Sequence, residues 1–181
     1  MRSADLDQVG EWLRQPHVAG WYLSASTVKE ELDDLRQSIS DVQPTEVLVV
    51  SQEGRPIGWC QWYRCADYPE YAGGVGAGPG DIGIDYAIGE PTMVGRGVGT
   101  DLVAALVVHV RLRYPAAGII ADPETGNMAS RRVLEKNGFT LLAERPVASE
   151  PTMGPMAIYR LAAPTDASFD NPVRTGEGSE P

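Results

Sequence analysis

Ile88-Gly89-Glu90-Pro91-Thr92-Met93-Val94-Gly95-Arg96-Gly97-Val98-Gly99-Thr100 is the stretch on which the fold of this 181-residue chain turns. Ahead of it, Asp81 to Ile88 reads as a strand; behind it, Leu102, Val103, Leu106 and Val107 mark an apolar helix running from about Gly97 to Arg113. Strand, glycine loop and helix N-terminus follow in that order. Glycines at 95, 97 and 99 let the backbone turn sharply and approach a ligand closely. The first free N–H groups of the helix point the same way, with the positive end of its dipole. Such a loop suits a pyrophosphate. P-loop and dinucleotide-binding sequences use the same physics, but no Lys-Ser or Lys-Thr follows this loop, and no Gly-x-Gly-x-x-Gly follows the first strand of the chain. A tight turn that holds no ligand is the alternative this segment leaves open.

Working outward toward the N-terminus, Leu6, Val9 and Leu13 recur at helical spacing from Ser3 to Arg14, and Pro16 stops the pattern. His17 to Leu23, with Trp21 and Tyr22, reads as an aromatic loop. Thr27 and Glu30 form a capping-box pair ahead of Leu32, Leu35 and Ile39. Glu46–Ser51 and Pro56–Tyr63, joined by Gln52-Glu53-Gly54-Arg55, predict a β-hairpin. The glycine-rich stretch Arg64 to Gly80 is too long for a simple connection and is expected to be a functional flap or disordered.

Toward the C-terminus, Gly118 to Ala121 reads as a short buried strand. Asn127 caps a helix that ends at Gly138 in the left-handed position, and Phe139–Ala143 and Met156–Leu161 complete the strands. Residues 1–163 are expected to form one domain, and the polar stretch 164–181 a disordered tail.

The formal net charge of −10 argues against nucleic acid and anionic membranes as partners and is compatible with a cationic one; solubility alone is the other reading of such acidity. No apolar run is long enough to span a bilayer and no signal-peptide pattern opens the chain, so a cytoplasmic protein is expected. Cys60 and Cys65 lie too close for a disulfide framework and fit no zinc spacing; free thiols and no metal are expected.

Gly95-Arg96-Gly97-Val98-Gly99 after a strand, followed by Asn127 and Leu134-Glu135-Lys136-Asn137-Gly138-Phe139, resembles the paired acetyl-CoA signatures of GNAT acetyltransferases. The resemblance implies an α+β, three-layer GNAT fold: a mixed central sheet with two parallel strands, here Asp81–Ile88 and Gly118–Ala121, splayed apart to admit pantetheine. It implies acetyl-CoA as co-substrate, held by Ile88, Val94, Gly95, Arg96, Gly97, Val98, Gly99, Thr100 and Asn127. Two departures stand out. Val94 replaces the usual Gln or Arg of the loop, and Leu134 falls where a tyrosine often protonates the leaving thiolate. The resemblance also implies a strand before the first helix, for which only Met1 and Arg2 are available; it would be missing, supplied by a neighbouring molecule or lost to a misassigned start.

Gly10 to Val18, the hairpin Pro56–Tyr63 and Gly83-Ile84-Asp85 together are similar to the aminoglycoside 6′-N-acetyltransferases over most of residues 4–161. A hydroxyl-rich oligocation calls for carboxylates ringed by aromatics and amides. Asp85, flanked by Ile84 and Tyr86 on a strand, is the candidate base or ammonium ligand. Asp122 is a second acid, and Trp21, Tyr22, Gln61 and Tyr63 are walls or ordinary packing. The expected chemistry is direct attack of a neutral amine on the thioester, with amides near Val94 stabilising the oxyanion, by a monomer or homodimer. The alternatives are an acyltransferase for a hydroxylysine-type siderophore precursor, whose relatives commonly carry histidine at the Asp85 position, or for another small polyamine, and a non-catalytic acetyl-CoA sensor.

Overall fold

The computed structural model describes residues 1–40, 42–149 and 154–164. Six strands, β1 (Thr45–Gln52), β2 (Arg55–Arg64), β3 (Ile82–Ile88), β4 (Ile119–Ala121), β5 (Thr140–Arg145) and β6 (Met156–Leu161), form one sheet in the order β1-β2-β3-β4-β6-β5. Every neighbouring pair is antiparallel except β3 and β4. Six helices flank it: α1 (Leu6–Leu13), α2 (Pro16–Tyr22), α3 (Val28–Ile39), α4 (Pro69–Val75), α5 (Val98–Arg113) and α6 (Met128–Lys136).

Side chains alternate across a strand, and here the alternation sorts the core into two layers. Cys60, Trp62, Ile82, Ile84, Ile119 and Tyr159 face α5 and α6. On the other face Trp59 and Ala87 pack under α1–α3, and Tyr63, Ile120 and Ile158 pack under α4. The expected three-layer arrangement follows.

The hairpin turns at Glu53 and Gly54, both at positive φ (50° and 77°), as a two-residue type I′ loop requires. The capping box of α3 is present: Thr27 Oγ1 accepts from the Glu30 amide at 3.3 Å while the Glu30 carboxylate accepts from the Thr27 amide at 2.8 Å. Caps of this kind stabilise by about 1 kcal/mol. Asn127 Oδ1 accepts from the Ser130 amide at 3.1 Å to start α6, and Gly138 follows its end at φ 82°.

Three expectations change. The segment expected as a loop, His17–Leu23, is helix α2 as far as Tyr22, with Leu23 as its C-cap: Pro16 ends α1 but opens α2, because a proline at the first helical position lacks only a donor the helix would not use. The stretch 64–80 is ordered, as a 3₁₀ turn at Cys65–Asp67 followed by α4. Its glycines had suggested slack, yet Gly76 (φ 71°) is the left-handed cap of α4, and Tyr71 and Val75 anchor the helix in the core. The first helical stretch begins as a 3₁₀ turn at Ser3–Asp5 before α1. Among the described residues no strand precedes α1, and the Met1 ammonium donates to the Val47 carbonyl at 2.8 Å on edge strand β1. The expected tail from residue 165 onward lies outside the described residues.

Candidate active site

The sheet is open at its centre. Strand β3 pairs with β4 only through Ile82↔Ile119 and Gly83↔Ile120, so the backbone edge of β3 from Ile84 to Ile88 has no β4 partner. A slot therefore runs between the two parallel strands. Asp85 stands on one side of it and Ala121-Asp122 on the other.

At one end of the slot lies the glycine loop. Gly95 and Gly97 have φ of 76° and 87°, values only glycine adopts cheaply. No atom lies within 4 Å of the position a Cβ would take at either residue, so open space faces the backbone there. Helix α5 starts at Val98, with Gly97 as its N-cap and no side chain capping it. Among the described residues, main-chain bonding resumes with the Thr100 amide donating to the Gly97 carbonyl at 2.8 Å. Exposed amides at the positive end of a 16-residue helix, with room before them, fit a diphosphate. Val94, Arg96, Val98 and Thr100 lie in the same segment, and Val94 is 48 % exposed. Ile88 ends β3 at the mouth of the slot, where its carbonyl meets His17 Nε2 at 2.9 Å. His17, expected to be a mere loop residue, thus tethers α2 to the strand end.

A cavity of about 490 Å³ opens beside Asp85 and reaches across the slot to Tyr86 and Ser130. It gathers Trp21, Tyr22, Gln61, Tyr63, Asp85 and Asp122, residues separated by up to a hundred positions in the chain, along with Asn127. Gln61 and Asp85 are register partners on β2 and β3, and Gln61 Nε2 donates to Asp85 Oδ2 at 2.9 Å. Burial pushes the Asp85 carboxyl above the ordinary carboxylate range, and the Gln61 hydrogen bond only partly opposes it. Tyr22 packs on Trp59 with ring centroids 5.1 Å apart, and Trp59 in turn stacks on Trp12 at 6.2 Å. Burial first, then the nearby Asp85 and Glu31 charges, raise the Tyr22 phenol well above its usual value, so it stays protonated. Tyr63 lies over Gly83, where a Cβ would collide with its ring at 2.3 Å. Asp122, 8 % exposed, accepts from the Tyr71 hydroxyl at 2.8 Å, so α4 is tied to the end of β4.

Sequence reasoning missed part of the lining. Glu31 and Asp34 of α3 and Glu124 after β4 bring the carboxylates around the cavity to five, with no lysine, arginine or histidine among the described lining residues. Glu31 accepts from Ser26 Oγ at 2.5 Å; burial, then repulsion from Asp34 and Asp85, holds its carboxyl up. Beside Leu32 and Leu35 these acids look like the solvated face of an amphipathic helix, and nothing in the spacing marks them otherwise. Tyr71 fell in the supposed flap. Tyr86 carries no sequence signal beyond adjoining Asp85, yet it spans the slot to Ser130 of α6 at 2.7 Å. Leu134 is fully buried in the core against α5. Among the described residues no group of three or more His, Cys, Asp or Glu side chains could hold a metal ion, and no helix is long and apolar enough to cross a membrane.

A profile of the acetyltransferase (GNAT) domain matches residues 2–147. The chain is 31 % identical over 170 residues to the lysine N-acyltransferase MbtK of Mycobacterium sp. (strain MCS), covering 91 % of this chain and 66 % of that protein. It is 28 % identical over 143 residues to the aminoglycoside N(6′)-acetyltransferase type 1 of Klebsiella pneumoniae, covering 77 % of this chain and 71 % of that one. The crystal structure of aminoglycoside acetyltransferase AAC(6′)-Ib in complex with coenzyme A and kanamycin superimposes with a TM-score of 0.70 at 26 % identity, over 90 % of this chain and 91 % of that one. The glycine loop before α5, the parted parallel strands and the profile match agree, and the chain belongs to the GNAT acetyltransferases.

Proposed function

We propose that this chain transfers the acetyl group of acetyl-CoA to a primary amine of an aminoglycoside, the 6′-amine by analogy with its relatives. The observation that carries the reading is the cavity: five carboxylates and no cationic side chain among its described lining residues, opening onto the slot at Asp85. At an effective dielectric of about 20, an ammonium 4 Å from one carboxylate gains about 4 kcal/mol before desolvation. Such a cavity strongly favours an oligocation.

The amides of residues 95–99 would hold the coenzyme's diphosphate, the Thr100 hydroxyl and the Asn127 side-chain amide adding polar contacts, and the free edge of β3 up to Ile88 would carry its arm. Bound acetyl-CoA supplies an activated acyl carbon and a thiolate leaving group. Asp85, on the acceptor face, accepts a proton from the attacking amine, directly or through water; burial raises its pKa and makes it a stronger base than an ordinary carboxylate. Tyr22 and Tyr63 wall the acceptor, Trp21 covers the rim, and Gln61 orients the Asp85 carboxylate. Asp122 contributes charge while holding α4 through Tyr71. Main-chain amides near Val94 and along the free β3 edge supply oxyanion stabilisation.

A second reading, acylation of a lysine-type acceptor, is supported by the mycobacterial relative, which matches more of the chain at slightly higher identity. A free lysine side-chain acceptor carries its own carboxylate, which this cavity repels, so the aminoglycoside reading is preferred. Purified protein should release CoA with kanamycin and not with lysine or N6-hydroxylysine; the reverse outcome removes the aminoglycoside assignment.

A further inference from the structure

Transfer from a thioester leaves negative charge on sulfur, and a buried hydrocarbon at Leu134 offers that charge nothing. Three observations place another group beside it. The unpaired edge of β3 leads from Ile88, next to the glycine loop, back through Ala87 and Tyr86 to Asp85. An acyl group carried along this edge to within reach of an amine at Asp85 would bring its sulfur near Tyr86. Because side chains alternate, Asp85 faces the acceptor cavity while Tyr86 faces α5 and α6. Finally, the Tyr86 hydroxyl shares a hydrogen bond with Ser130 Oγ at 2.7 Å and donates to the Ser130 carbonyl at 3.3 Å, so it spans the slot at the first turn of α6.

Resting on the acetyltransferase reading above, we propose that the Tyr86 hydroxyl, steadied by Ser130, donates a hydrogen bond to the sulfur that departs during acyl transfer, a service Leu134 cannot give. The balance is simple. The amine lone pair forms the N–C bond, the C–S bond breaks with its electron pair on sulfur, and the amine proton goes to Asp85 and on to water. Tyr86 keeps its own proton throughout. Burial raises its phenol to about 12, whereas a thiol ordinarily titrates near 8.5, so the thiol is the stronger acid. Hydrogen-bond donation to the thiolate is favourable where full proton transfer is not. The Ser130 hydroxyl can turn to accept from or donate to the phenol as the sulfur charge grows.

Calorimetry separates this role from packing. Wild-type protein should bind CoA more tightly at pH 9 than at pH 7, as the thiolate forms, and Tyr86→Phe should lose about tenfold of that gain. Desulfo-CoA should bind both proteins equally. In turnover, Tyr86→Phe should lower kcat about 10- to 100-fold, at or below the cost of deleting an oxyanion-hole donor, with the acceptor KM unchanged. Ser130→Ala should show the same pattern about threefold weaker, and it provides the test should the tyrosine variant fold poorly. Equal pH responses in wild type and Tyr86→Phe, or an equal loss of desulfo-CoA binding, would overturn the proposal. Absence of any coenzyme binding by the wild type would instead sink the acetyltransferase reading on which it rests.

Discussion

The two sides of the slot are built by different means. The loop at Gly95–Thr100 is main chain at a helix start: its working groups are amides, its side chains are largely exposed, and its geometry depends on glycines at positive φ. The cavity beside Asp85 is the opposite, made of side chains from α2, α3, β2, β3 and the segment after β4, most of them half-buried and five of them acidic. A backbone site is written in one contiguous stretch of sequence. A side-chain site is assembled only by folding. The first kind tolerates an apolar side chain such as Val94, since the amide remains; the second can be retuned by single substitutions.

The difference can be pressed hardest at Asp85. Asp85→Asn should lower kcat/KM about 10²- to 10⁴-fold while leaving acetyl-CoA affinity by calorimetry unchanged; a matching loss of coenzyme binding would mean that the two sides are not separable. For the wild type, the raised pKa places the acidic limb of kcat/KM above the usual carboxylate range.

The next largest effect should come from the loop. Gly97→Ala forces an L side chain into the left-handed region at φ 87°, costing about 1–2 kcal/mol. The KM for acetyl-CoA should rise about tenfold and the acceptor KM should not move.

Glu31→Gln should be milder and confined to the acceptor: a rise of about fivefold in KM for a polyamine, and none for a monoamine. Equal effects on both would remove Glu31 from acceptor binding.

The smallest effect is on stability. Because the folded Asp85 carboxyl has a raised pKa, the folded state holds a proton that the unfolded chain releases near pH 4. Stability is therefore lost as pH rises from about 4 through the raised value. Asp85→Asn should melt a few degrees above wild type at pH 7, and the gap should close below about pH 4.

Sequence resolved the elements whose signals are local. The hairpin at Glu53-Gly54, the Thr27–Glu30 cap and the Asn127 and Gly138 boundaries of α6 each follow from a few adjacent residues. The loop before α5 belongs to the same class. Where one residue type serves two ends, local reading failed: Pro16 closes one helix and opens another, and the glycines of 73–80 include a helix cap as well as connecting chain. In the cavity, Asp85 stood out as an acid on a strand that should be buried. Glu31 and Asp34 did not, because on an amphipathic helix a carboxylate aimed into a cavity and one aimed into water have the same spacing. Tyr86 was hidden for a related reason. Its partner Ser130 lies 44 residues away, and only the parting of β3 from β4 gives their contact a meaning.

Both cysteines are sealed in the core, Cys65 fully and Cys60 to 5 % exposure, and burial pushes each thiol up to about 12. The native protein should therefore be nearly inert to Ellman's reagent and maleimides. Colour developed in a coupled thiol assay then reports product alone, and a sudden increase in protein labelling gives a direct signal of unfolding.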